Sequence, residues 1–485
     1  MRIALFSVND VVYDYGLRAL SAYLKRHGHD VDLVFLTCPE NELSGRILLD
    51  ALEVCRGADL IGVSVLTHSV GKGIVLTQFL RLMLPGVPII WGGMHASSAP
   101  EECIVHADIV CLGEGENTLL EIVERYSQGS GIDGIPGTWR RAADGSIVKG
   151  EKRPLIQDLD SLPPQDYSLS SDYVDHEGRL AKLDDELLEN RLLYYFFNNM
   201  GRVYVTMTSR GCPFNCTFCC NNVTRQLSTG GEKFVRKRSI PHIMNELRQI
   251  KQRFPFLQSI LFEDDSFLFR SVKDICEFAD SYGKDIGLPF GIEMHPNETS
   301  AEKLTALKAA GLTLIHTGIQ SGDERVRREI YHRKTTDDAI IKCNKLLTGL
   351  SITHKYDIIV DMPFEGDAWA SLRLLKRLRP KFSINLYSMR LYPGLELRSI
   401  LHSRGHDAWI QRNDLAKSYL SLSSDDPYII VLRMYEAFPP NIAYFLLVHY
   451  VFNTRFMIQL LKISQFRRAT LRVMSLARRL IRKAR

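Results

Sequence analysis

Short apolar runs alternate with longer stretches of helical period from the first residue onward. Residues 2–7 read as a strand, 16–26 as a helix ended by Gly28, and 31–35 as the next strand. The pattern repeats with a buried strand at 59–66, a helix at 74–83, a strand at 87–91, a strand at 109–112 and a helix at 117–126. Strands and helices in this alternation predict an α/β, doubly wound (Rossmann-like) domain over 1–130, with ligands bound past the carboxyl ends of the strands. The residues at those ends are Asn9 and Asp10, Leu66 and Thr67, Gly92, Gly93 and His95, then Gly113, Glu114 and Gly115. Glycines there let backbone approach a large flat ligand closely. A G-x-G-x-x-G fingerprint is absent, which argues against a dinucleotide.

From 127 the chain turns rich in glycine, proline and charge and loses periodicity, so 131–195 reads as a linker, with 185–199 as a helix or lid. Alternation then resumes. Strands are expected at 202–207, 259–262, 289–293, 314–319, 353–360 and 382–386, and helices at 239–253, 301–310, 336–347 and 367–377. These make about six β-α units, a partial (β/α)6 barrel over 196–400. Its rim would gather Glu263, Asp264, Asp265, Glu293, Gln320–Gly322 and Asp361–Phe364. The region 401–485 reads as helical. An apolar run at 442–451 is half the length a bilayer span needs. Residues 471–485 form a basic amphipathic helix, open to three readings: peripheral membrane contact, a cap on the barrel, or a phosphate-binding arm.

Composition adds little beyond a globular class: 485 residues, 45% hydrophobic, 24% charged and net charge +5. The basic tail lacks interleaved aromatics, so nucleic-acid binding is not expected. Ten cysteines cluster only near position 216 and do not resemble a disulfide framework. A reduced, cytoplasmic setting is expected, and the N-terminus reads as no signal peptide.

The chemistry concentrates in Gly211–Cys220, GCPFNCTFCC, just past the strand at 202–207. Cys212, Cys216 and Cys219 stand in C-x3-C-x2-C spacing. Three thiolates so close in sequence can share one centre, and soft ligands select zinc, copper(I) or iron–sulfur clusters. Zinc asks for a fourth ligand, and Cys220 is badly placed to supply it. On a 4Fe–4S cluster, three cysteines leave one iron open, with Phe218 suited to pack against a flat ring nearby.

This pattern resembles the signature of radical S-adenosylmethionine enzymes. The ordered motifs S-V-L-T, I-I-W-G-G-M-H and C-L-G-E-G-E-N-T-L resemble the cobalamin-binding domain that precedes many of them. The resemblance covers about 1–401. It implies three cofactors: the 4Fe–4S cluster on the three cysteines, S-adenosylmethionine and cobalamin. Phe218, Asp264, Asp265, Glu293, Gly318, Gln320 and Ser321 would serve S-adenosylmethionine. Asn9, Leu66, Thr67, Gly92, Gly93, His95, Gly113, Glu114 and Gly115 would serve cobalamin. Residues 9–16 lack the cobalt-ligating histidine of many cobalamin proteins, so no histidine should bind cobalt from that loop. The implied activity is radical methylation of an unactivated carbon or phosphorus in a natural-product, lipid or phosphorus-containing small molecule, with electrons from a flavodoxin or ferredoxin. The same cofactors would also serve an oxidative cyclase or ring-rearranging enzyme. A non-catalytic cobalamin- and zinc-binding protein is the reading from another class.

Overall fold

In the computed structural model, which describes residues 1–142, 144–192, 200–389, 391–412, 426–437 and 461, the early strands build one sheet. They are β1 (Arg2–Ser7), β2 (Asp30–Phe35), β3 (Leu60–Ser64), β4 (Ile89–Gly92) and β5 (Ile109–Cys111). They lie in the order β5-β4-β3-β1-β2, all parallel. Strands such as RIALFS and LIGVS are buried almost throughout, as a sheet covered on both faces requires. Helices Tyr15–Arg26, Gly45–Cys55, Val70–Met83 and Gly115–Ser127 alternate with them. The strand order reverses between β1 and β3, and the crevice outside their carboxyl ends is where this architecture places ligands.

Residues 131–195 are not a featureless linker. They add β6 (Thr138–Arg141) and β7 (Ile147–Lys149) to one edge of the sheet, and β8 (Asp172–His176) and β9 (Arg179–Lys182) to the other. These strands are short and rich in polar residues, and β7 and β9 are the sheet's edges, so no apolar period marks them. The segment is held by buried charge. Arg18, fully buried, pairs with Asp172 at 3.0 Å and lies between the rings of Phe35 and Tyr167. Asp166 accepts from Ser21 Oγ at 2.6 Å and Lys25 Nζ at 2.7 Å. Of the expected 185–199 helix, Asp185–Arg191 is helical; 193–199 lie outside the described residues.

Six parallel strands then follow in chain order: β10 (Val203–Thr206), β13 (Ser259–Phe262), β14 (Phe290–Met294), β15 (Leu312–Gln320), β16 (Thr353–Val360) and β17 (Phe382–Ser388). A two-stranded ribbon, β11 (Ser209–Arg210) with β12 (Arg236–Lys237), flanks the cysteine loop in sequence. The chain divides into two compact units. Met1–Pro213, Cys219–Asp264 and Tyr392–Leu395 form the first; Phe214–Phe218, Asp265–Leu391 and Glu396–Arg485 form the second. In the first, β10 pairs in parallel with β13. In the second, β14, β15, β16 and β17 lie side by side in parallel.

Past the strands, Glu396–Ser403, Asp407–Arg412 and Pro427–Ala437 are helical. The runs 442–451 and 471–485 lie outside the described residues. Among the described residues no helix is long and apolar enough to cross a membrane.

Candidate active site: two strand-end rims and a cysteine loop

At the rim of the first sheet the polar side chains bind one another. Asp14 caps the first helix through Leu17 N–H and accepts from Ser7 Oγ and Asn9 Nδ2, both at 2.8 Å. Asn9 Oδ1 in turn accepts from Ser69 Oγ at 2.9 Å and Leu66 N at 3.3 Å. Thr67 Oγ1 meets His95 Nδ1 at 3.1 Å in the interior. Burial pushes the His95 pKa down to about 4, so its imidazole is neutral. Glu114, expected to face a ligand, is engaged elsewhere. Its carboxylate accepts from Arg236 Nη1 at 2.8 and 2.9 Å and from Ile156 N at 2.8 Å. Asn9, Thr67, His95 and Glu114 therefore shape the rim, and what it offers outward is Leu66, 36% exposed, glycine backbone, and the exposed Asp10, which pairs with Lys72.

The glycines divide by cause. At Gly93 (φ 95°) a Cβ would stand 2.8 Å from Val65 O, so local packing demands glycine. At Gly92 the nearest atom to a Cβ would be 3.9 Å away. Among the described residues nothing requires glycine there, and the space left open suits a broad ring system. Gly113 (φ 72°) receives its turn geometry through a 2.9 Å bond from its N–H to Ser97 Oγ.

The flanks of the cysteine loop belong to the first unit. Gly211 (φ 85°) packs so tightly that a Cβ would lie 2.4 Å from Phe234 O. Arg225 donates to Cys212 O at 2.6 Å while stacking on the Phe234 ring. Cys219 opens helix Cys220–Leu227, which packs on helix Met94–Ser98. Asp264, expected at S-adenosylmethionine, is fully buried; its carboxylate accepts from Thr208 N, Thr208 Oγ1 and Ser209 Oγ. It fixes the turn after β10.

The middle of the loop belongs to the second unit. Thr217 donates from N to Tyr331 O at 3.2 Å and from Oγ1 to Ile330 O at 2.7 Å. Phe218 meets Tyr331 edge-on at 5.0 Å, and Phe214 stacks on His295 at 3.7 Å. Asn297 N–H donates to His295 Nδ1, so His295 Nε2 carries the proton, directed at Thr335 Oγ1 3.4 Å away. Burial, then the charge of Arg333, pushes the His295 pKa down to about 2. Arg333, 7% exposed, points Nη1 at Cys216 Sγ (3.5 Å) and Nη2 at Gly318 O (2.6 Å). Its Nε and the Tyr331 hydroxyl have no partner among the described residues. The Ile330–Arg333 stretch leaves a π-helical turn, Val326–Ile330, a distortion frequent at functional sites.

The rim of the second unit differs in kind. One face of β15–β17 carries Ile319, Tyr356, Ile358, Val360, Ile384 and Leu386 into a core with the covering helices. The opposite face is polar. Register sets Glu293, His316, Lys355 and Ser383 in one cross-strand row and Gly318, Asp357 and Asn385 in the next. Burial pushes Asp357 up to about 6 against the pull of Asn385, which donates to it at 2.9 Å, and of Lys355 and Arg333. His316 is held neutral, near 3, by burial and Lys355. A register shift between Gly318 and Gln320 (φ 69°) turns the end of β15. Ser321 does not stay open: its hydroxyl donates to Asp367 at 2.5 Å, and Gly322 N–H donates to Ser371 Oγ at 2.9 Å. Phe218, Glu293, Gly318 and Gln320 thus keep half-buried positions, as does Asp265, whereas Ser321 clamps a helix.

Phe214, His295, Tyr331, Arg333 and Asp357 were not singled out from the sequence. Alternation in THKYDIIV does put Lys355 and Asp357 on one face. The others carry no local signal. Among the described residues no three His, Cys, Asp or Glu side chains are gathered to hold a single metal ion. Such an ion draws thiolates to roughly 4 Å of one another, given Zn–S bonds of ~2.3 Å. A four-iron cube instead takes each thiolate at a separate corner, which the C-x3-C-x2-C donor set suits.

The B12 binding domain family matches residues 1–123, and the Radical SAM superfamily matches 206–375. The chain is a cobalamin-dependent radical S-adenosylmethionine enzyme. Its cofactors are a 4Fe–4S cluster, S-adenosylmethionine and cobalamin. An uncharacterized methyltransferase of Pyrococcus horikoshii is 26% identical over 70% of this chain and 68% of its own length. The anaerobic magnesium-protoporphyrin IX monomethyl ester cyclase of Rubrivivax gelatinosus is 24% identical over 71% of this chain, which spans 58% of the cyclase. In fold, the chain is similar to the radical S-adenosylmethionine methyltransferase TsrM from Kitasatospora setae, solved with tryptophan substrate and an S-adenosylmethionine analogue. The TM-score is 0.65 at 17% identity, over 83% of this chain and 76% of that one.

Proposed function

We propose that this enzyme methylates an unactivated carbon, or a phosphorus, of a small-molecule natural-product or lipid intermediate. The observation that carries the reading is the pairing, in one chain, of a glycine-gapped rim with a three-cysteine loop whose neighbouring strand ends are charged. When bound, the cofactors supply one-electron cleavage of S-adenosylmethionine and a methyl group carried on cobalamin.

The residues divide the remaining work. Cys212, Cys216 and Cys219 hold the cluster. Arg333, with an unspent N–H, takes the carboxylate of S-adenosylmethionine, and Glu293 and Asp357 take its ammonium and ribose hydroxyls. Gln320 has both a donor and an acceptor for the adenine edge. Phe218, braced by Tyr331, offers a flat apolar surface. Leu66, Gly92, Gly93, Gly113 and Gly115 form the bed for the corrin, with no histidine reaching cobalt from residues 9–16. Electrons come from an external flavodoxin or ferredoxin. The basic tail serves as a peripheral membrane contact suited to a lipid substrate.

The cyclase relative favours a second reading, oxidative cyclisation with the same cofactors. One experiment separates the two. Anaerobically reconstituted protein is given S-adenosylmethionine and a reductant with candidate substrates, and products are read by mass spectrometry. Methylation yields 5′-deoxyadenosine and S-adenosylhomocysteine together; cyclisation yields the first alone. Cleavage of S-adenosylmethionine surviving in each of Cys212→Ala, Cys216→Ala and Cys219→Ala would refute both.

A further inference from the structure

Arg210 sits two residues before Cys212, on the two-stranded ribbon, directly opposite Arg236. Like charges facing each other across a strand pair are destabilising, so this ribbon is a poor structure unless anions reach it. Two do, and both come from the loop at the carboxyl end of β5. Arg210 Nη2 pairs with Glu116 Oε1 at 2.5 Å and Nη1 with Glu114 Oε1 at 3.2 Å. Arg236 Nη1 pairs with the same Glu114 oxygen at 2.8 Å. The order Glu116–Arg210–Glu114–Arg236 alternates in sign, and every side chain in it is at most 14% exposed.

Buried this deeply, such a box holds only while all four members stay in place, because removing one leaves a buried charge uncompensated. Its two ends touch different chemistry. Glu114 and Glu116 alternate with Gly113 and Gly115, the loop over which a corrin would lie. Arg210 is joined to Cys212 through Gly211, which lies so close to the Phe234 carbonyl that no side chain would fit there. Cys212 O is itself tied by Arg225, which stacks on the same Phe234 ring. A displacement of the 113–116 loop is therefore passed to the first cysteine, and the reverse holds equally.

We propose that Arg210 is a positioning residue that registers Cys212 on the 113–116 loop, so that corrin binding and cluster assembly reinforce one another. The inference rests on the function proposed above. It predicts reciprocal coupling: whichever group binds first orders the loop that the other requires, and each raises the other's affinity by the same factor.

The test is binding, not turnover. Hydroxocobalamin is titrated anaerobically into the full chain, once without iron and once with the cluster reconstituted, and the two dissociation constants are compared. The cluster-loaded parent is expected to bind about tenfold tighter, equivalent to ~1.4 kcal/mol. The ratio should fall to about one in Arg210→Gln and in the charge-balanced pair Arg210→Gln with Glu116→Gln, and Arg210→Lys should retain part of it. A ratio of one in the parent overturns the coupling whatever the variants do. So does an undiminished ratio in the charge-balanced variant, which would make the box a mere staple. If the parent took up neither iron nor corrin, the functional reading itself would fail, an outcome distinct from two groups that bind independently.

Discussion

The carboxyl edges of the two parallel strand sets have opposite characters. At the first, nearly every polar side chain is consumed by a neighbour: Asn9 by Asp14 and Ser69, Thr67 by His95, Glu114 by Arg236. What faces outward is backbone, glycine space, Leu66 and one acid, Asp10, paired with Lys72. At the second, Glu293, Lys355 and Asp357 lie half-buried on one polar face, and Arg333 is buried against Gly318 O. The difference matches two kinds of ligand. A corrin is a broad disc recognised by shape and backbone contact. S-adenosylmethionine is small and carries three charges, each needing a counterpart. Position past a strand end marks both rims; only the side-chain bonding tells which kind of recognition each performs.

The largest effect should come from removing charge at the second rim. Arg333→Ala deletes charged hydrogen bonds worth about 1.5–3 kcal/mol. S-adenosylmethionine affinity should drop about 10–100-fold by isothermal titration while hydroxocobalamin affinity stays at the parental value. An equal loss of both would erase the distinction. The converse is Gly92→Leu, which fills the open space at the first rim. Corrin retention should fall about tenfold, ~1.4 kcal/mol, with 5′-deoxyadenosine formation from the cluster preserved.

A third prediction concerns the scaffold of the first rim. Burial raises the Asp166 pKa, but Lys25, Ser21 and Ser168 outweigh it and bring it from 3.8 down to about 2. A depressed acid contributes stability above its unfolded pKa and loses it as pH falls through the folded one. Asp166→Asn should therefore cost about 2 kcal/mol at pH 7, and the gap in urea midpoint should narrow between pH 4 and pH 2. The smallest effect is at Asp357, raised from 3.8 to about 6. As pH rises past 3.8 the unfolded chain releases this proton before the folded one does. Stability is drawn down between pH 3.8 and 6 and is level above. Asp357→Asn removes that slope, raising the melting temperature of cofactor-free protein at pH 7.5 by about 2–4 °C per kcal/mol regained. It should also weaken S-adenosylmethionine binding and abolish its rise with pH near 6. A variant that lost stability at pH 7.5 would show that the carboxylate serves the fold.

Strands such as Thr353–Val360 and Ser259–Phe262 were legible because their burial is written in β-branched and aromatic residues. The added strands β6 to β9 were not, since TWRR is held by cross-strand register and RLAK pairs with β8, which the distant Arg18–Asp172 contact anchors. In the site, the C-x3-C-x2-C spacing of the three cysteines is a signal that the sequence carries locally. Asp264 and Ser321 stand at the expected strand ends, but their partners Thr208 and Asp367 lie tens of residues away, so the bonds they make carry no local signal. Arg333 was invisible because a π-turn, which no periodicity announces, aims it.

The contact boundary of the first unit has a consequence for how such enzymes could be recombined. Sequence families divide this chain between 123 and 206, but the first unit keeps β10, β13 and the ribbon with the amino-terminal sheet. Gln165 donates to Tyr204 Oη and Val205 O, Ser239 N–H donates to Asp160, and Arg253 binds Asp185, all across a cut placed near residue 196. A cobalamin domain transplanted from a relative at the family boundary would arrive without its foundations. The heritable module is the sheet together with 203–264, and chimeras cut after Asp264 should fold where those cut near residue 196 do not.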